Sequence, residues 1–251
     1  DYPRALVLDL WGSATMRTAG EEVAMALHLA GLAPLWDTAS ARVTGFEVIP
    51  LALLNRPRID VTLRISGLFR DIFPGLGQMF QAGVAALAAR EEDPADNPYV
   101  GAAARVYGPK PGLYGMGMEA ALTDYSDAGR AAAGEAWLQA ASYAMDAKGD
   151  IAPDRAGIEA RVRAADTYAH VQDLIETDVL MAPDYAAHEG GFAAASAHVG
   201  GRAALYHIDS ANAPRARTVT EELARTLRAR AADPAWANGM MRHGFRGAAE
   251  I

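Results

Sequence analysis

The chain has 251 residues, a formal net charge of −8, 51% hydrophobic residues and no cysteine. The lack of cysteine excludes disulfide scaffolds, thiolate zinc sites and iron–sulfur clusters, so a metal site must use His, Asp and Glu side chains. The acidic balance disfavours binding to a nucleic-acid backbone, and no apolar run reaches the roughly 18 residues that a membrane helix requires. We therefore expect a cytoplasmic protein with no nucleic-acid partner and no membrane span.

The first part of the chain, residues 1–92, alternates short apolar runs with helical patterns. In chain order, the predicted elements are strand Arg4–Leu10, helix Ala19–Leu32, strands Val43–Pro50 and Ile59–Ile65, and helix Phe69–Arg90. Strands that alternate with helices favour an α/β fold, with a mixed or parallel sheet flanked by helices. Because the chain begins at Asp1 and enters an apolar run almost at once, we expect it to be a piece of a longer subunit.

A Pro- and Asp-rich break at Glu91–Pro98 separates this α/β region from an α-rich region with short strands, residues 99–251. We expect the two regions to pack together within one module. The predicted helices of the second region are Ala128–Met145, Asp154–Ala165, Asp184–Val199, Thr218–Ala231 and Pro234–Met241, and its short apolar segments are Thr167–Val171 and Ala203–Ile208. The five arginines of Arg215–Arg230 indicate a salt-bridged helix face, with a docking surface as the alternative.

Three arginines are placed to meet an anionic ligand at the sheet edge. Arg17 follows the first predicted strand, and Arg64 and Arg70 bracket the end of the third. Ligands of such sheets bind beyond the carboxyl ends of the strands, where a guanidinium fork holds carboxylates well. The glycine-rich loop Gly108–Gly117 matches neither a Walker nor a dinucleotide pattern, so a turn-rich connector is its default interpretation.

Two local features have structural interpretations. Thr18 and Glu21 have the spacing of a capping box for the first helix. His28 lies within an apolar helical pattern, which indicates a packed core residue.

The densest cluster of potential metal ligands lies in the second region. Imidazole and carboxylate together suit divalent first-row metals, and a solvated acidic face is the structural alternative. The candidate ligands are His170, Gln172, Asp173, Glu176, Asp178, Asp184, His188 and Glu189, with His207 and Asp209 as residues that could join the same site.

Long motifs follow one another along the whole chain. They are WGSATMRT at Trp11–Thr18, VTGFEVIP, RPRIDVTLRISGLFRD at Arg56–Asp71, VYGPKPGLYGMGM at Val106–Met118, and RARTVTEELARTLRARAADPAWANGMMRHGFRGAAE from Arg215. In this order they resemble the C-terminal part of the cobaltochelatase large subunit, in the family of CobN and the magnesium chelatase H subunit. The resemblance runs from end to end, and the motif at Arg56–Asp71 is long enough to be specific alone.

The resemblance implies a tetrapyrrole-binding, metal-inserting subunit of an ATP-dependent cobaltochelatase, a ligase that places Co²⁺ into hydrogenobyrinic acid a,c-diamide in aerobic cobalamin synthesis. It implies that ATP and Mg²⁺ bind to separate AAA+ partner subunits of the CobS and CobT type, with the rest of the large subunit as a further partner. One alternative is the H subunit of a magnesium chelatase acting on protoporphyrin IX, which shares RPRID and FRD. Another is a non-catalytic tetrapyrrole-binding or assembly module.

Metal insertion needs exchangeable metal ligands and a base for the inner N–H protons of the ring, and imidazole and carboxylate meet both needs. On the resemblance, we assign metal ligation to His170, Asp173, His188 and Glu189, and catalytic proton acceptance to His170, Asp173 and Glu189 in particular. Substrate binding is assigned to Arg17, Arg64, Arg70, Tyr114 and Gln172.

The chain departs from the family pattern at several possible ligands. The cobalt family reads Asn-Gln-Asp followed by Glu-His-Asp, whereas this chain has Val171 and Thr177 at the Asn and His positions. Met181 and Pro183 stand where carboxylates are common. The ligands that remain in this stretch are His170, Gln172, Asp173, Glu176 and Asp178.

Overall fold

The computed structural model describes residues 2–101, 104–116, 118, 124, 126–174, 177–181, 184–209 and 214–248. Its strands are β1 (Ala5–Leu10), β2 (Leu32–Asp37), β3 (Arg42–Val48), β4 (Asp60–Ile65), β5 (Val106–Gly108), β6 (Tyr143–Met145), β7 (Ile151–Pro153), β8 (Thr167–Gln172), β9 (Ala204–Asp209) and β10 (Arg215–Thr218). Its helices are α1 (Gly12–Thr18), α2 (Glu21–Ala30), α3 (Leu51–Leu54), α4 (Gly67–Ile72), α5 (Pro74–Ala88), α6 (Asp127–Gln139), α7 (Arg155–Ala164), α8 (Gly191–His198), α9 (Val219–Ala229), α10 (Pro234–Met241) and α11 (Gly244–Ala248).

One eight-stranded sheet organises the chain, in the order β10–β9–β8–β1–β4–β5–β6–β7. The five central strands, from β9 to β5, pair in parallel, and the outer pairs are antiparallel. The predicted α/β fold with a mixed sheet flanked by helices is confirmed. Strands from residues 1–92 and from residues 99–251 lie side by side in this sheet, and β2 and β3 form a separate hairpin.

Alternation along the strands divides the core into two layers. Leu6, Leu8 and Leu10 of β1 pack on the face covered by α2 and α5, whereas Val7 packs with Trp137 of α6 on the opposite face. Successive side chains of a strand point to opposite faces, so both faces of the parallel centre are apolar and buried. No helix in the described ranges is long and apolar enough to cross a membrane.

The helix predicted over Ala19–Leu32 is wrong at both ends. Within this range the helix is α2, Glu21–Ala30, and Leu32 begins β2; the short helix α1, which the sequence pattern does not predict, ends before the range at Thr18. The two helices are separated by Ala19 and Gly20, whose φ angles of 56° and 85° are left-handed. A left-handed residue cannot continue a right-handed helix, so the first helix stops there.

The two local interpretations of this segment are also wrong. Thr18 ends α1 instead of capping α2, and its hydroxyl donates to Glu22 at 2.5 Å. A capping box does form at α9, where Thr218 and Glu221 bond reciprocally. His28 is exposed in the last turn of α2 and is not a packed core residue.

The helix predicted over Ala128–Met145 is too long. α6 ends at Gln139, and Tyr143–Met145 forms β6, which pairs with β5 and β7. Pairing at the sheet edge and burial of Met145 in the core override the helical pattern of this Ala-rich stretch.

A buried arginine joins three loops at the amino end of the sheet. The guanidinium of Arg58 donates to both carboxylate oxygens of Glu92, at 2.8 and 2.9 Å, and to the carbonyls of Gly31 and Ile49. These hydrogen bonds outweigh burial and lower the pKa of Glu92 to about 2. The Arg-Pro-Arg motif therefore has a structural role at its second arginine.

We expect Glu92→Gln to lower the free energy of unfolding by about 3 kcal/mol at pH 7, because it leaves the buried Arg58 without its ion pair. Glu91→Gln, at an exposed neighbouring position, is the matched control and changes stability little. Chemical unfolding of both variants measures the difference.

The same pair predicts the pH dependence. The folded-state pKa of Glu92 is about 2, below its ordinary 4.5, so its stabilisation is complete above pH 4.5 and disappears as the pH falls from 4.5 toward 2. Equal stability of the two variants at pH 7, or a difference that persists at pH 2, contradicts this account.

Candidate functional site

Four polar side chains form a row across neighbouring parallel strands near their carboxyl ends. Arg64 of β4 is paired with Asp9 of β1, and His170 of β8 is paired with His207 of β9. The register of β1 and β8, followed one residue further, places Asp9 beside His170. All four side chains are buried. They point to one face of the sheet because parallel strands in register share their alternation.

A π-helical turn, Ala186–Gly190, adds two further polar residues to this row. One carboxylate oxygen of Glu189, Oε1, lies 3.0 Å from Nδ1 of His170 and 3.0 Å from Nδ1 of His207. The Nδ1 of His188 lies 3.1 Å from Oδ2 of Asp9. Single π-helical turns are frequent at functional sites because their wider backbone turn redirects side chains.

The trio His170, Glu189 and His207, hereafter the His–Glu cluster, could hold a metal ion. One ligand atom from each residue lies within 4.8 Å of the others. The second oxygen of Glu189, Oε2, is buried and has no hydrogen-bond partner among the described residues. Two imidazoles and a carboxylate are a donor set that divalent first-row metals accept, and three protein ligands leave open positions for water.

Gln172 orients one of these imidazoles. Its amide nitrogen donates to the carbonyls of Leu174 and Thr177, at 2.8 and 2.9 Å, so its carbonyl oxygen faces Nε2 of His207 at 3.0 Å. An amide carbonyl only accepts, so Nε2 of His207 carries a hydrogen. This contact leaves Nδ1 of His207 to face Glu189 and a metal ion, because metal-bound histidines are oriented by the hydrogen bond of their other ring nitrogen.

The charges of the cluster compensate one another. Burial alone would raise the pKa of Glu189, but hydrogen bonds from His170 and His207 bring it down to about 2. Burial alone would lower the pKa of His170, but Glu189 raises it above its usual value. Burial and the nearby His170 lower the pKa of His188. Glu189 is therefore ionised and His188 is the more readily neutral of the stacked pair.

Asp9 is a buried anion held by three side chains. Its carboxylate accepts from Arg64 at 3.1 Å and from the phenol of Tyr168 at 3.2 Å, and it contacts His188. Although burial opposes ionisation, Arg64 and His188 hold the pKa of Asp9 well below its usual range. Arg64 is itself 1% exposed, with its guanidinium 5.5 Å from the ring of Trp11.

Ring stacking fixes the imidazoles. The rings of His170 and His188 are nearly parallel, with centroids 4.0 Å apart, and Trp11 contacts His188 with centroids 4.5 Å apart. Tyr185 packs against both His170 and His207. Packed, hydrogen-bonded rings have little freedom to reorient, which preorganises the donor atoms.

A cavity of about 50 Å³ opens beside the stacked imidazoles. At its rim, Nε of Arg17 donates to Asp173 at 2.7 Å, and the Arg17 side chain is 43% exposed. Its lining includes Trp11, Arg17, His170, Asp173, Tyr185 and His188. The cavity thus joins solvent to two imidazoles through a charged rim.

Two other residues assigned to substrate binding belong to the contact between the glycine-rich loop and α4: Arg70 lies on α4 and Tyr114 lies within the loop. Arg70 is buried and donates to the carbonyls of Pro109 and Lys110, at 3.1 and 3.3 Å. Tyr114 is 55% exposed, and its hydroxyl donates to Asp71, which also pairs with Arg70. This group fixes the loop against α4.

The structure regroups the predicted metal ligands. It keeps His170 and Glu189 together and joins His207 to them, whereas Asp173 pairs with Arg17 and His188 with Asp9. Glu176 lies outside the described residues.

Three residues of the site, Asp9, Tyr168 and Tyr185, have no role assigned from the sequence. The sequence does show that Asp9 is a charged residue near the end of an apolar run, which could have marked it as a candidate site residue. Nothing in the sequence shows that β1 and β8 are adjacent, so its place beside His170 could not be predicted.

The fold and site define an α/β protein with a candidate cation site near the carboxyl edge of its sheet. The family model CobN/Magnesium Chelatase matches residues 1–251. The chain is 40% identical to the aerobic cobaltochelatase subunits CobN of Sinorhizobium sp and Pseudomonas aeruginosa, covering 100% of this chain and 22% of each relative. It is 29% identical to the magnesium-chelatase H subunit of Cereibacter sphaeroides, over 99% of this chain and 22% of that protein.

A solved structure gives the same result. The catalytic subunit of cobaltochelatase from Mycobacterium tuberculosis matches with a TM-score of 0.88 and 34% identity, over 99% of this chain and 23% of that chain. The chain belongs to the CobN/magnesium chelatase family, which confirms the resemblance found in the sequence. It spans about a fifth of the length of the relatives named above.

We expect Asp9→Asn to lower the free energy of unfolding by about 3 kcal/mol, because the isosteric amide leaves Arg64 buried without a counter-charge. Asp150→Asn, at an exposed position, is the control. Urea unfolding followed by circular dichroism measures both. An Asp9→Asn variant as stable as the control would show that the buried ion pair does not hold this edge of the sheet.

Proposed function

We propose that this chain is the part of a cobaltochelatase large subunit that receives Co²⁺ and transfers it to a tetrapyrrole, hydrogenobyrinic acid a,c-diamide. The His–Glu cluster is the observation that carries the proposal, since it offers two imidazole nitrogens and a carboxylate within 4.8 Å beside a cavity lined by His170. The names of the relatives at 40% identity support cobalt as the substrate metal.

The donor set favours cobalt over magnesium. Mg²⁺ prefers oxygen ligands in octahedral geometry and keeps several waters, whereas imidazole suits first-row transition metals. A pair of histidines on one carboxylate is therefore a poor magnesium site and a good site for Co²⁺. Because the cluster supplies three protein ligands, a bound ion keeps open positions at which water and then the ring nitrogens can exchange.

Insertion exchanges one Co²⁺ for two protons, since the ring loses two inner N–H protons as the metal enters. In the absence of metal, the Nδ1 atoms of His170 and His207 share protons with Glu189 at 3.0 Å. Binding of Co²⁺ displaces these protons, and departure of Co²⁺ lets the same atoms take up the protons that the ring releases. The cluster thus serves as metal donor and as proton acceptor.

Asp173 and His188 are assigned to the proton path. Both line the cavity. Asp173 lies at the rim with Arg17, and Nδ1 of His188 is held by Asp9, so Nε2 is the atom free to face the cavity. The proposal therefore moves these two residues from metal ligation to proton transfer between ring and solvent.

The ring is held by exposed groups at the same edge. Arg17 and Tyr114 are exposed and are proposed to contact the substrate directly, with Arg17 on a peripheral carboxylate. Arg64, Arg70 and Gln172 act through neighbours: they hold Asp9, the glycine-rich loop and His207 respectively. ATP and Mg²⁺ are proposed to bind to separate AAA+ subunits of the CobS and CobT type.

We expect the wild-type chain to bind one Co²⁺ in a calorimetric titration, and His170→Gln, His207→Gln and Glu189→Gln each to weaken binding by about tenfold or more, because each removes one ligand. His198→Gln, an exposed histidine on α8, is the matched control and binds like the wild type. His188→Gln is expected to bind Co²⁺ nearly as well. Loss of binding in the control, or unchanged binding in all three cluster variants, contradicts the assignment.

The proposed substrate is tested by comparing how tightly the chain binds two different tetrapyrroles. We expect hydrogenobyrinic acid a,c-diamide to bind more tightly than protoporphyrin in absorbance titrations, and Arg17→Ala to raise its Kd by about tenfold, since a charge-assisted hydrogen bond is lost. Arg202→Ala, at an exposed position, is the control.

Preference for protoporphyrin would favour magnesium chelation instead. Corrinoid binding without insertion, when Co²⁺, ATP and the ATPase partners are supplied, would favour the non-catalytic module.

A further inference from the structure

A second, larger pocket lies outside the His–Glu cluster, near the end of the described chain. Its volume is about 450 Å³, within the roughly 300–1,000 Å³ of small-molecule sites. Arg230, just after α9, lines one side, and Trp236 and Met240 of α10 line another. Arg246 of α11 and Met181, from the segment after β8, complete the walls.

Internal packing does not account for the apolar side chains of this pocket. α10 has no buried residue, and within the described residues neither hydrophobic core includes a residue of α10 or α11. Met241 and Phe245, beside the pocket in sequence, are 58% and 92% exposed. Exposed apolar groups that are clustered in this way mark interaction sites.

The pocket is also basic, in a chain with a net charge of −8. Arg230, His243 and Arg246 line it, and none of its described lining residues is acidic. Arg230 is fixed by an ion pair with Asp178, and its guanidinium lies 5.9 Å from the ring centroid of Trp236. Arg246 lines the pocket as a second guanidinium and has no ion pair among the described residues.

We propose that this pocket binds a flat aromatic carboxylic acid. The indole of Trp236 stacks on the flat apolar body, and the thioethers of Met181 and Met240 fill the space around it. Arg246 receives the carboxylate through its planar pair of donors. The site is separate from the His–Glu cluster, none of whose residues line it, and it does not rest on the function proposed above.

Pyrene-1-carboxylic acid and its methyl ester are matched probes, because they differ only in the charge that Arg246 is proposed to meet. Fluorescence anisotropy of pyrene measures their binding to the full 251-residue chain. We expect saturable binding of the acid with one site, and binding of the ester weaker by about tenfold. Arg246→Gln is expected to weaken binding of the acid about tenfold and to leave the ester unchanged, whereas Trp236→Leu weakens both.

Matched controls lie on the hairpin of β2 and β3. Trp36→Leu and Arg42→Gln remove the same residue types from exposed positions far from the pocket in the sequence, and we expect both to bind like the wild type. No saturable binding of the acid, equal binding of acid and ester, or equal loss in the controls overturns the proposal. Co²⁺ titration of the same variants is expected to match the wild type, which separates failure here from failure of the His–Glu cluster.

Discussion

A buried carboxylate shared by two imidazoles is the constraint on which the candidate site at the carboxyl edge of the sheet depends. Glu189 accepts from His170 and His207 through one oxygen, in surroundings where an unpaired charge costs several kcal/mol. Further contacts hold the two imidazoles in place. Gln172 bonds Nε2 of His207. His188 stacks on His170 and also bonds Asp9. Asp9 in turn needs Arg64. The site is therefore one connected electrostatic network that reaches from β4 to β9.

This network suits an exchange of one divalent cation for two protons. On the proposed function, Oε1 of Glu189 is bonded to both imidazoles when protons bridge the three residues, and the same residues offer three ligand atoms when the protons leave. The position of the site near the carboxyl edge of a parallel sheet follows from the fold, since the loops after the strands leave room there for a ligand.

Sequence periodicity predicted the α/β class and the strands on which the site is built, because apolar runs of strand length are a local signal. It failed where tertiary pairing decides the outcome, at β6, and it missed the short helix α1, which ends before the left-handed residues Ala19 and Gly20. The resemblance placed His170 and Glu189 in the site. The partnership with His207, and the separation of Asp173 and His188 from it, depend on strand order and on a π-helical turn, neither of which a single sequence encodes in a readable pattern.

X-ray absorption at the cobalt edge of the Co²⁺-loaded chain tests the central claim most directly. The account predicts outer-shell scattering from two imidazole rings, reduced to one ring in the His207→Gln variant and unchanged in His188→Gln. A spectrum with oxygen ligands alone, or with two imidazoles that persist in His207→Gln, would show that Co²⁺ binds elsewhere and that Glu189 with its two histidines is a purely structural network.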